Sequence, residues 1–232
     1  IFVKRRKTKR LLAKLLALVM VLSLCEITVG QSKPVKAAVG LQNPTTNGNG
    51  VTTWDCIYFG NYYQSNSSTK EPIKWRVLSV NGNDAFLLAD QNLDAKPYNN
   101  KRANVTWATC TLRTWLNGTF LNMAFTSAEQ AAIKNTTVVN DDNPKYGTEG
   151  GVNTTDKVYL LSIAEACNTA YGFNGKFDAY KETREARNTA YAKECGAWTW
   201  MGTEYEGNGI WCCGDGMEEK NFGEKIKFFV EI

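Results

Sequence analysis

The alternation of apolar and polar residues predicts short strands near the start of the folded region. Residues 54–63, WDCIYFGNYY, are apolar on both alternating faces and predict a strand buried on both sides. Two more apolar runs, 73–80 and 85–89, flank the tetrad NGND at 81–84. Because Asn-Gly favours a tight turn, these runs predict a hairpin, and the domain is expected to open with three strands.

A helical pattern follows these strands. Leu112, Trp115 and Leu116 recur at the spacing of a single helix face. Arg113 and Asn117 lie off this face, so we expect both side chains to point away from the protein body.

Several residues signal where helices begin and end. Gly118 stands where the first helix is expected to end. Thr126 with Glu129, and Ser162 with Glu165, have the spacing of capping boxes and predict two helix starts.

The remaining pattern completes the prediction of the fold class. A strand end is expected at Val138-Val139, a polar loop at 140–156 and a strand at 157–161. Short strands mixed with short helices, without a repeated β-α-β order, predict a loop-rich α+β domain. We place this domain at residues 53–209.

The first 37 residues have the order of an export signal. A cationic run at 4–10 precedes an apolar stretch, LLALVMVLSL at 15–24, and small residues follow at Ala37 and Ala38. The pattern predicts a signal peptide at residues 1–37, and the product is expected to be secreted or displayed on the cell surface. The apolar stretch is shorter than the roughly 20 residues that span a bilayer, so no stable span is expected after leader removal.

Two other interpretations of the leader stay open. The apolar stretch could extend towards Val29 and act as an uncleaved anchor. A lipid-modified Cys25 is the other, although Leu24 is a poor residue before such a cysteine. Residues 38–52, rich in Asn, Gly, Thr and Pro, are interpreted as a linker.

The charge distribution argues against nucleic-acid binding. Residues 1–37 contain nine of the 27 Lys and Arg residues but one of the 23 Asp and Glu residues. The other 195 residues therefore carry 18 basic and 22 acidic side chains, a net charge of −4. A body that neutralised phosphates would need the opposite balance.

The chain contains no histidine, which excludes Ser-His-Asp and Cys-His catalysis and any His-ligated metal within it. Its seven cysteines lack the C-x-x-C spacing of zinc sites, so no metal site and no cofactor are expected. Disulfides are possible in an exported protein, and whether one forms stays open.

The acidic residues single out no catalytic pair. A glycosidase holds two carboxyl groups about 5–10 Å apart, and no spacing here identifies such a pair. The loop at 140–156 carries enough oxygen ligands for Ca²⁺ but lacks EF-hand spacing, so a plain polar loop is favoured.

Aromatic residues are abundant, with 7 Trp, 10 Tyr and 10 Phe. Trp54, Trp75 and Trp115 are expected to pack in the core. A later group lies in a Gly-containing stretch, where exposed rings could stack on sugars. We predict that this group binds the ligand; it comprises Trp198, Trp200 and Tyr205.

Four segments together resemble a bacterial family of unknown function that occurs in exported and surface proteins. They are WDCIYFGNYYQ (54–64), PIKWRVLSV (72–80), TLRTWLNGTFLNMAF (111–125) and GGVNTTDKVYLLSIAEA (150–166). The resemblance implies an exported surface module, implies no catalytic residues, and suggests a fold similar to C-type-lectin-like modules.

The resemblance ends near residue 210. Residues 210–232 shift to Lys, Glu and Gly and lack the Trp- and Arg-containing ending of that family. We hypothesise a frameshift or a mis-called end near Ile210, which would leave the domain incomplete. The loss of closing strands would expose a sheet edge and part of the core.

Two classes of function remain. The first is an exported, non-catalytic recognition or display module whose partner is a surface glycan or protein. The alternative is an exported enzyme that acts on polysaccharide or protein through carboxylates or a metal. The absence of histidine and of a defined acid/base pair favours the first.

Overall fold

The computed structural model of the chain describes residues 40–143, 147–175 and 186–196, together with the backbone of four short strands after residue 199. The predicted signal peptide lies outside the described residues. The strands are β1 (Thr45–Thr46), β2 (Thr52–Thr53), β3 (Cys56–Tyr63), β4 (Lys70–Asn81), β5 (Asp84–Ala89), β6 (Asp94–Ala95), β7 (Thr136–Val138), β8 (Thr154–Asp156), β9 (Val158–Tyr159), β10 (Trp200–Gly202), β11 (Tyr205–Gly207), β12 (Lys225–Ile226) and β13 (Phe229–Glu231).

The helices are short. They are α1 (Thr111–Trp115), α2 (Leu121–Ala124), α3 (Ser127–Ala132), α4 (Ile163–Ala166) and α5 (Ala190–Glu194), with a π-helical segment at Leu116–Phe120 and a 3₁₀ turn at Thr169–Tyr171. Short helices and small sheets joined by long loops confirm the predicted α+β class. Within the described residues, no helix combines the length and the apolar composition that crossing a bilayer requires.

The main sheet contains five antiparallel strands in the order β3-β4-β5-β13-β9. The three predicted opening strands are present, although the short β1–β2 pair precedes them. The hairpin between β4 and β5 is confirmed, and Gly82 in its turn has φ +61°. Glycine adopts this left-handed conformation without the Cβ clash that other residues meet there.

Strand β3 differs from its prediction because it lies at the edge of the sheet. Its first half is not buried on both sides: Tyr58 is 69% exposed. The pairing with β4 then shifts between Tyr58 and Asn61, at Gly60 with φ +69°. An irregularity of this kind turns an edge strand, and here the second half, with Phe59 and Tyr62, enters the core.

The core lies between the sheet and the helical segment 111–124. Trp75 on β4 is fully buried and donates its Nε1 hydrogen to the carbonyl oxygen of Phe59 at 2.7 Å. Leu112, Leu116 and Phe120 from the helical segment are buried in the same cluster. The core prediction is confirmed for Trp75, whereas Trp54 and Trp115 are partly buried against this cluster.

The helix does not end at Gly118, so that prediction is wrong. The backbone continues through this residue as a π-helical segment that leads directly into α2. A π segment holds one extra residue per turn, so it can absorb Gly118 without breaking the helix. Both capping boxes are confirmed, at the start of α3 and at the start of α4.

The described part of the predicted linker contacts the domain. Strands β1 and β2 form a short antiparallel pair within and just after residues 40–52. Val80 donates its backbone hydrogen to Asn43 Oδ1 at 2.7 Å. Gln42 donates its backbone hydrogen to Asp55 Oδ2 at 2.9 Å. These bonds fix the entry of the chain beside the hairpin β4–β5.

The closing segment comprises two strands, at residues 225–226 and 229–231. Strand β12 pairs with β6, and β13 lies between β5 and β9. The exposed edge expected from an aberrant ending is therefore occupied by backbone from residues 229–231. The frameshift hypothesis itself stays a prediction.

Candidate functional site

The structure describes no side chain of the three predicted ligand-binding residues. Trp198 lies outside the described residues, as do the side chains of Trp200 and Tyr205. The backbones of Trp200 and Tyr205 lie on β10 and β11, where Trp200 pairs with Gly207 and Gly202 with Tyr205. This two-stranded ribbon places the two aromatic residues on neighbouring strands, and the predicted site stays a prediction.

The described side chains form a different polar group, built around a buried carboxylate. Asp94 on β6 is fully buried, and Tyr62 at the end of β3 donates its hydroxyl hydrogen to Asp94 Oδ2 at 2.7 Å. The Asp94 Oδ1 atom accepts the backbone hydrogen of Ala95 at 2.7 Å, and Lys96 Nζ lies 3.6 Å away. We call Tyr62, Asp94, Lys96, Tyr191 and Cys195 the Asp94 cluster.

Helix α5 brings Tyr191 and Cys195 into this cluster. The tyrosine ring centroid lies 5.9 Å from that of Tyr62 and 5.2 Å from that of Tyr63. The Tyr191 backbone also donates to the carbonyl oxygen of Gln64 at 2.9 Å. Helix α5 is thereby anchored to the end of β3.

A second set of bonds docks the segment before α5. The backbone nitrogen of Asn92 donates to the carbonyl oxygen of Arg187 at 2.9 Å, and Thr189 returns a bond to the carbonyl oxygen of Asn92 at 3.1 Å. The Asn92 side chain donates to Asn188 Oδ1 at 2.7 Å. These pairings align residues 187–189 with the approach to β6, which places α5 over Asp94.

The electrostatics of the Asp94 cluster favour protonated phenol and thiol groups. Burial, followed by the nearby Asp94 carboxylate, raises the pKa of Tyr62 far above its ordinary range. Burial also raises the pKa of the Cys195 thiol, despite the opposing hydrogen bond with Tyr191. A thiol with a raised pKa is a poor nucleophile near neutral pH, because the thiolate is the reactive form.

Lys96 connects the cluster to the protein surface. Its ammonium lies 5.2 Å from the ring centroid of Trp115, a cation–π distance, and 3.6 Å from Asp94 Oδ1. About a third of its side chain is exposed, at 35%. Lys96 thus partly compensates the buried carboxylate while it reaches solvent.

A second buried carboxylate, Asp156, joins the helical segment to β8. Its Oδ2 atom accepts bonds from Trp107 Nε1 at 2.9 Å and from the Thr154 hydroxyl at 2.6 Å. Arg113 Nε donates to Asp156 Oδ1 at 2.7 Å. The expectation that Arg113 points away is therefore wrong, because a buried charge at Asp156 requires a cation and donors beside it.

Asn117 was also expected to point away, and it does not. Its Oδ1 atom accepts the backbone hydrogens of Lys157 at 2.8 Å and of Val158 at 3.1 Å. Its Nδ2 atom donates to the carbonyl oxygen of Val158 at 2.9 Å. The amide therefore satisfies backbone groups of β9 as a neighbouring strand would.

A third polar group joins β4 to the residue that follows β5. Arg76 Nε donates to Asp90 Oδ1 at 2.5 Å, and Lys74 Nζ lies 3.4 Å from Asp90 Oδ2. Burial alone would raise the pKa of Asp90, but these two cations outweigh it and the pKa is lowered. The Arg76 guanidinium also lies 5.2 Å from the Trp54 ring centroid.

The four described cysteines are free thiols. Cys110 is buried, Cys56 is exposed, and Cys167 and Cys195 are partly exposed. Burial raises the pKa of Cys56 and of Cys110. In the part of the chain that the structure describes, no three His, Cys, Asp or Glu side chains converge as a metal site would require.

Sequence reasoning did not find the Asp94 cluster. Tyr62 and Asp94 are 32 positions apart, and neither belongs to a recognisable motif. Asp94 stands in the mostly polar stretch DQNLDAK at residues 90–96, so the local sequence gives no signal that its carboxylate is buried.

Comparison with known proteins gives one match. Residues 82–211 fit the model of a family described as a domain of unknown function, DUF6273. This stretch is more than half of the 232 residues and contains β5 to β11, but not β1 to β4 and not the closing segment. No curated protein and no solved structure matches the chain.

Proposed function

Because the chain belongs to the DUF6273 family, a domain of unknown function, we propose a function from its own residues. The protein is an exported, non-catalytic module for recognition or display, and its partner is a surface glycan or a surface protein. Export rests on the cationic and apolar order of residues 1–37. A bacterial surface location and a lectin-like fold, both implied by the resemblance, are parts of the same proposal.

One observation carries the non-catalytic part of the proposal. The buried carboxylates Asp94 and Asp156 both use their oxygens to join separate elements of the fold. A general acid or base must be free to exchange a proton with a substrate. Because both carboxylates are engaged in bonds that hold the fold together, neither is a good candidate for a general acid or base. Recognition is therefore favoured over catalysis.

Ligand binding is assigned to Trp198, Trp200 and Tyr205. Trp and Tyr offer large, rigid rings whose faces stack on the C–H faces of sugars and whose polar atoms hydrogen-bond hydroxyls. The pairing of β10 with β11 brings the backbones of Trp200 and Tyr205 onto neighbouring strands. That backbone arrangement supports a shared binding surface for these residues.

A glycan-array screen with the full chain tests this assignment. The variant Trp198→Ala/Trp200→Ala is expected to lose binding of any glycan that the unmodified chain retains. Tyr58→Ala is the matched control, because Tyr58 is an exposed aromatic on a different strand, β3. Thermal unfolding of each variant separates a binding defect from a folding defect.

Two outcomes would contradict the proposal. Turnover of a bound polysaccharide or protein that a single Asp or Glu substitution abolishes would establish the enzyme alternative. Recovery of the product from the cytosol alone, with its leader intact, would contradict export.

A further inference from the structure

Six Asn-Gly pairs occur along the chain, and five of them lie in the described residues, at 47–48, 49–50, 81–82, 117–118 and 174–175. In such a pair the backbone nitrogen of glycine can attack the side-chain carbonyl carbon of asparagine, because glycine has no Cβ to hinder the approach. The attack requires a free glycine nitrogen and an asparagine side chain that can turn towards it. The five pairs differ in both respects.

Hydrogen bonds restrain the first two pairs. Asn47 Oδ1 accepts the backbone hydrogens of Asn49 and Val51, each at 3.0 Å. The Gly50 nitrogen donates to the carbonyl oxygen of Asn47 at 3.0 Å. The side chain of the first pair and the attacking nitrogen of the second pair are therefore both engaged.

Two later pairs are restrained by the body of the domain. Asn117 holds β9 through the bonds described above, and its Nδ2 atom also donates to the carbonyl oxygen of Arg113 at 3.2 Å. Gly118 lies within the π-helical segment, so the reaction would have to disrupt that segment. Asn174 is half-buried and has an interaction partner as well.

Asn81 and Gly82 meet both requirements. Asn81 ends β4 at the tip of the hairpin, and both residues are exposed. Across the turn, the backbone of Asn81 pairs with Asp84. Within the described residues, the Asn81 side chain and the Gly82 nitrogen have no hydrogen-bond partner. A Cβ added at Gly82 would meet nothing within 4 Å, so the space around the reacting atoms is open.

We propose that Asn81 is a site of spontaneous deamidation in the folded protein. Local opening of the exposed hairpin tip costs little free energy and lets the side chain turn. The Gly82 nitrogen forms a bond to Asn81 Cγ, and the bond from Cγ to Nδ2 breaks, so that ammonia leaves with the proton of Gly82. Water then opens the succinimide ring at either carbonyl carbon, which gives aspartate or isoaspartate. This inference does not depend on the proposed function.

Either product weakens the hairpin. An aspartate at position 81 lies opposite Asp84, and like charges directly across a strand pair are destabilising. An isoaspartate adds a methylene group to the main chain and disturbs the pairing at the turn. Because Val80 donates to Asn43 Oδ1 beside this turn, the modification also loosens the point at which the chain enters the domain.

Heavy-oxygen water reports the reaction in the folded full chain. The protein is incubated in this water, digested and analysed by peptide mass spectrometry, and the label excludes deamidation that occurred before the incubation. Asn117 is the internal control, because it belongs to the same dipeptide in the same molecule. Several hydrogen bonds must break before Asn117 can react, so we expect labelling at Asn81 to be at least about tenfold faster.

A second incubation in concentrated urea separates the effect of the fold from that of the dipeptide. Unfolding removes the bonds of Asn117 as well as the turn at Asn81, so we expect the two labelling rates to converge. Gly82→Ala should slow labelling at Asn81 in both conditions, because a methyl group hinders the attacking nitrogen.

Two results would overturn the proposal. Equal labelling rates at Asn81 and Asn117 in the folded chain would show that the contacts of the fold do not select the site. Labelling of Asn81 in urea but not in the folded chain would show that the hairpin turn protects it.

Discussion

Tyr62 and Asp94 form a hydroxyl-to-carboxylate hydrogen bond of 2.7 Å between two side chains that are almost completely buried. The bond joins the end of β3 to β6, and α5 packs over it through Tyr191. It is therefore the point at which three separate stretches of the chain meet.

Tyr62→Phe is expected to lower the free energy of unfolding by about 2 kcal/mol, because a buried carboxylate loses a donor. Urea denaturation at pH 7 measures the change. Tyr58→Phe on the same strand is the matched control, because the ring of Tyr58 is exposed. The free energy of unfolding of this variant should fall by no more than about 0.5 kcal/mol. Equal losses in the two variants would show that the hydroxyl of Tyr62 contributes nothing specific.

The same tyrosine predicts a loss of stability in alkali. Burial and Asp94 raise the pKa of Tyr62 above its ordinary value of 10.0, and burial raises the pKa of Cys110 above 9.0. The folded state thus retains protons that the unfolded state releases. This stabilisation is complete below the unfolded-state pKa and is lost as pH rises from there towards the folded-state pKa.

We expect the free energy of unfolding to fall from about pH 9, by up to about 1.4 kcal/mol per pH unit for each such group. Urea denaturation at half-unit steps from pH 8 to pH 10.5 measures the slope. Above pH 10, the free energy of unfolding of Tyr62→Phe should fall less steeply with pH than that of the unmodified chain. Parallel slopes in the two proteins would mean that Tyr62 ionises as readily when folded as when unfolded.

Asn117→Ala is expected to lower the free energy of unfolding by about 2–3 kcal/mol. It removes the acceptor for two backbone hydrogens of Lys157 and Val158 and the donor to the Val158 carbonyl oxygen. Chemical denaturation measures the loss. Asn135→Ala, at an exposed asparagine, serves as the control and should cost little; similar losses at both positions would contradict the assigned role.

Alanine substitutions at Gly60 and Gly82 distinguish the cost of backbone strain from the cost of steric clash. A Cβ at Gly60 would lie 2.5 Å from Phe125 Cε1 and 2.9 Å from the Ala124 carbonyl oxygen, whereas one at Gly82 would meet nothing within 4 Å. Both glycines have positive φ angles. Gly82→Ala should therefore cost about 1 kcal/mol from strain alone, and Gly60→Ala about 3 kcal/mol from strain and overpacking.

Thermal and urea unfolding of both glycine variants check this difference. If Gly60→Ala were no less stable than Gly82→Ala, the close approach of Phe125 to β3 would have to be wrong.

The features that sequence could predict are those whose partners are close along the chain. The turn at 81–84 and the capping boxes of Thr126 and Ser162 each involve residues within four positions, and each is present. Arg113 and Asn117 were misjudged because their partners, Asp156 and Val158, lie more than 40 positions away. Helical periodicity reports which face is apolar, but not which polar residue another element will engage.

The closing segment shows the same limit at longer range. Its composition differs from the preceding domain, and nothing local indicates that residues 229–231 pair with β5 and β9. Only the sheet order reveals that role. The ligand-binding aromatics, by contrast, were chosen by composition alone and stay a prediction.

The interior position of β13, between β5 and β9, also determines when the sheet can be completed. The β3–β4–β5 hairpins can pair as soon as residues 56–89 exist, but β9 joins the sheet only through residues 229–231. Until those residues have been synthesised, the nascent polypeptide lacks a complete sheet, so it stays loosely assembled throughout elongation. This order of assembly fits the proposed export, because a chain that completes its sheet late can still be threaded through a translocation channel.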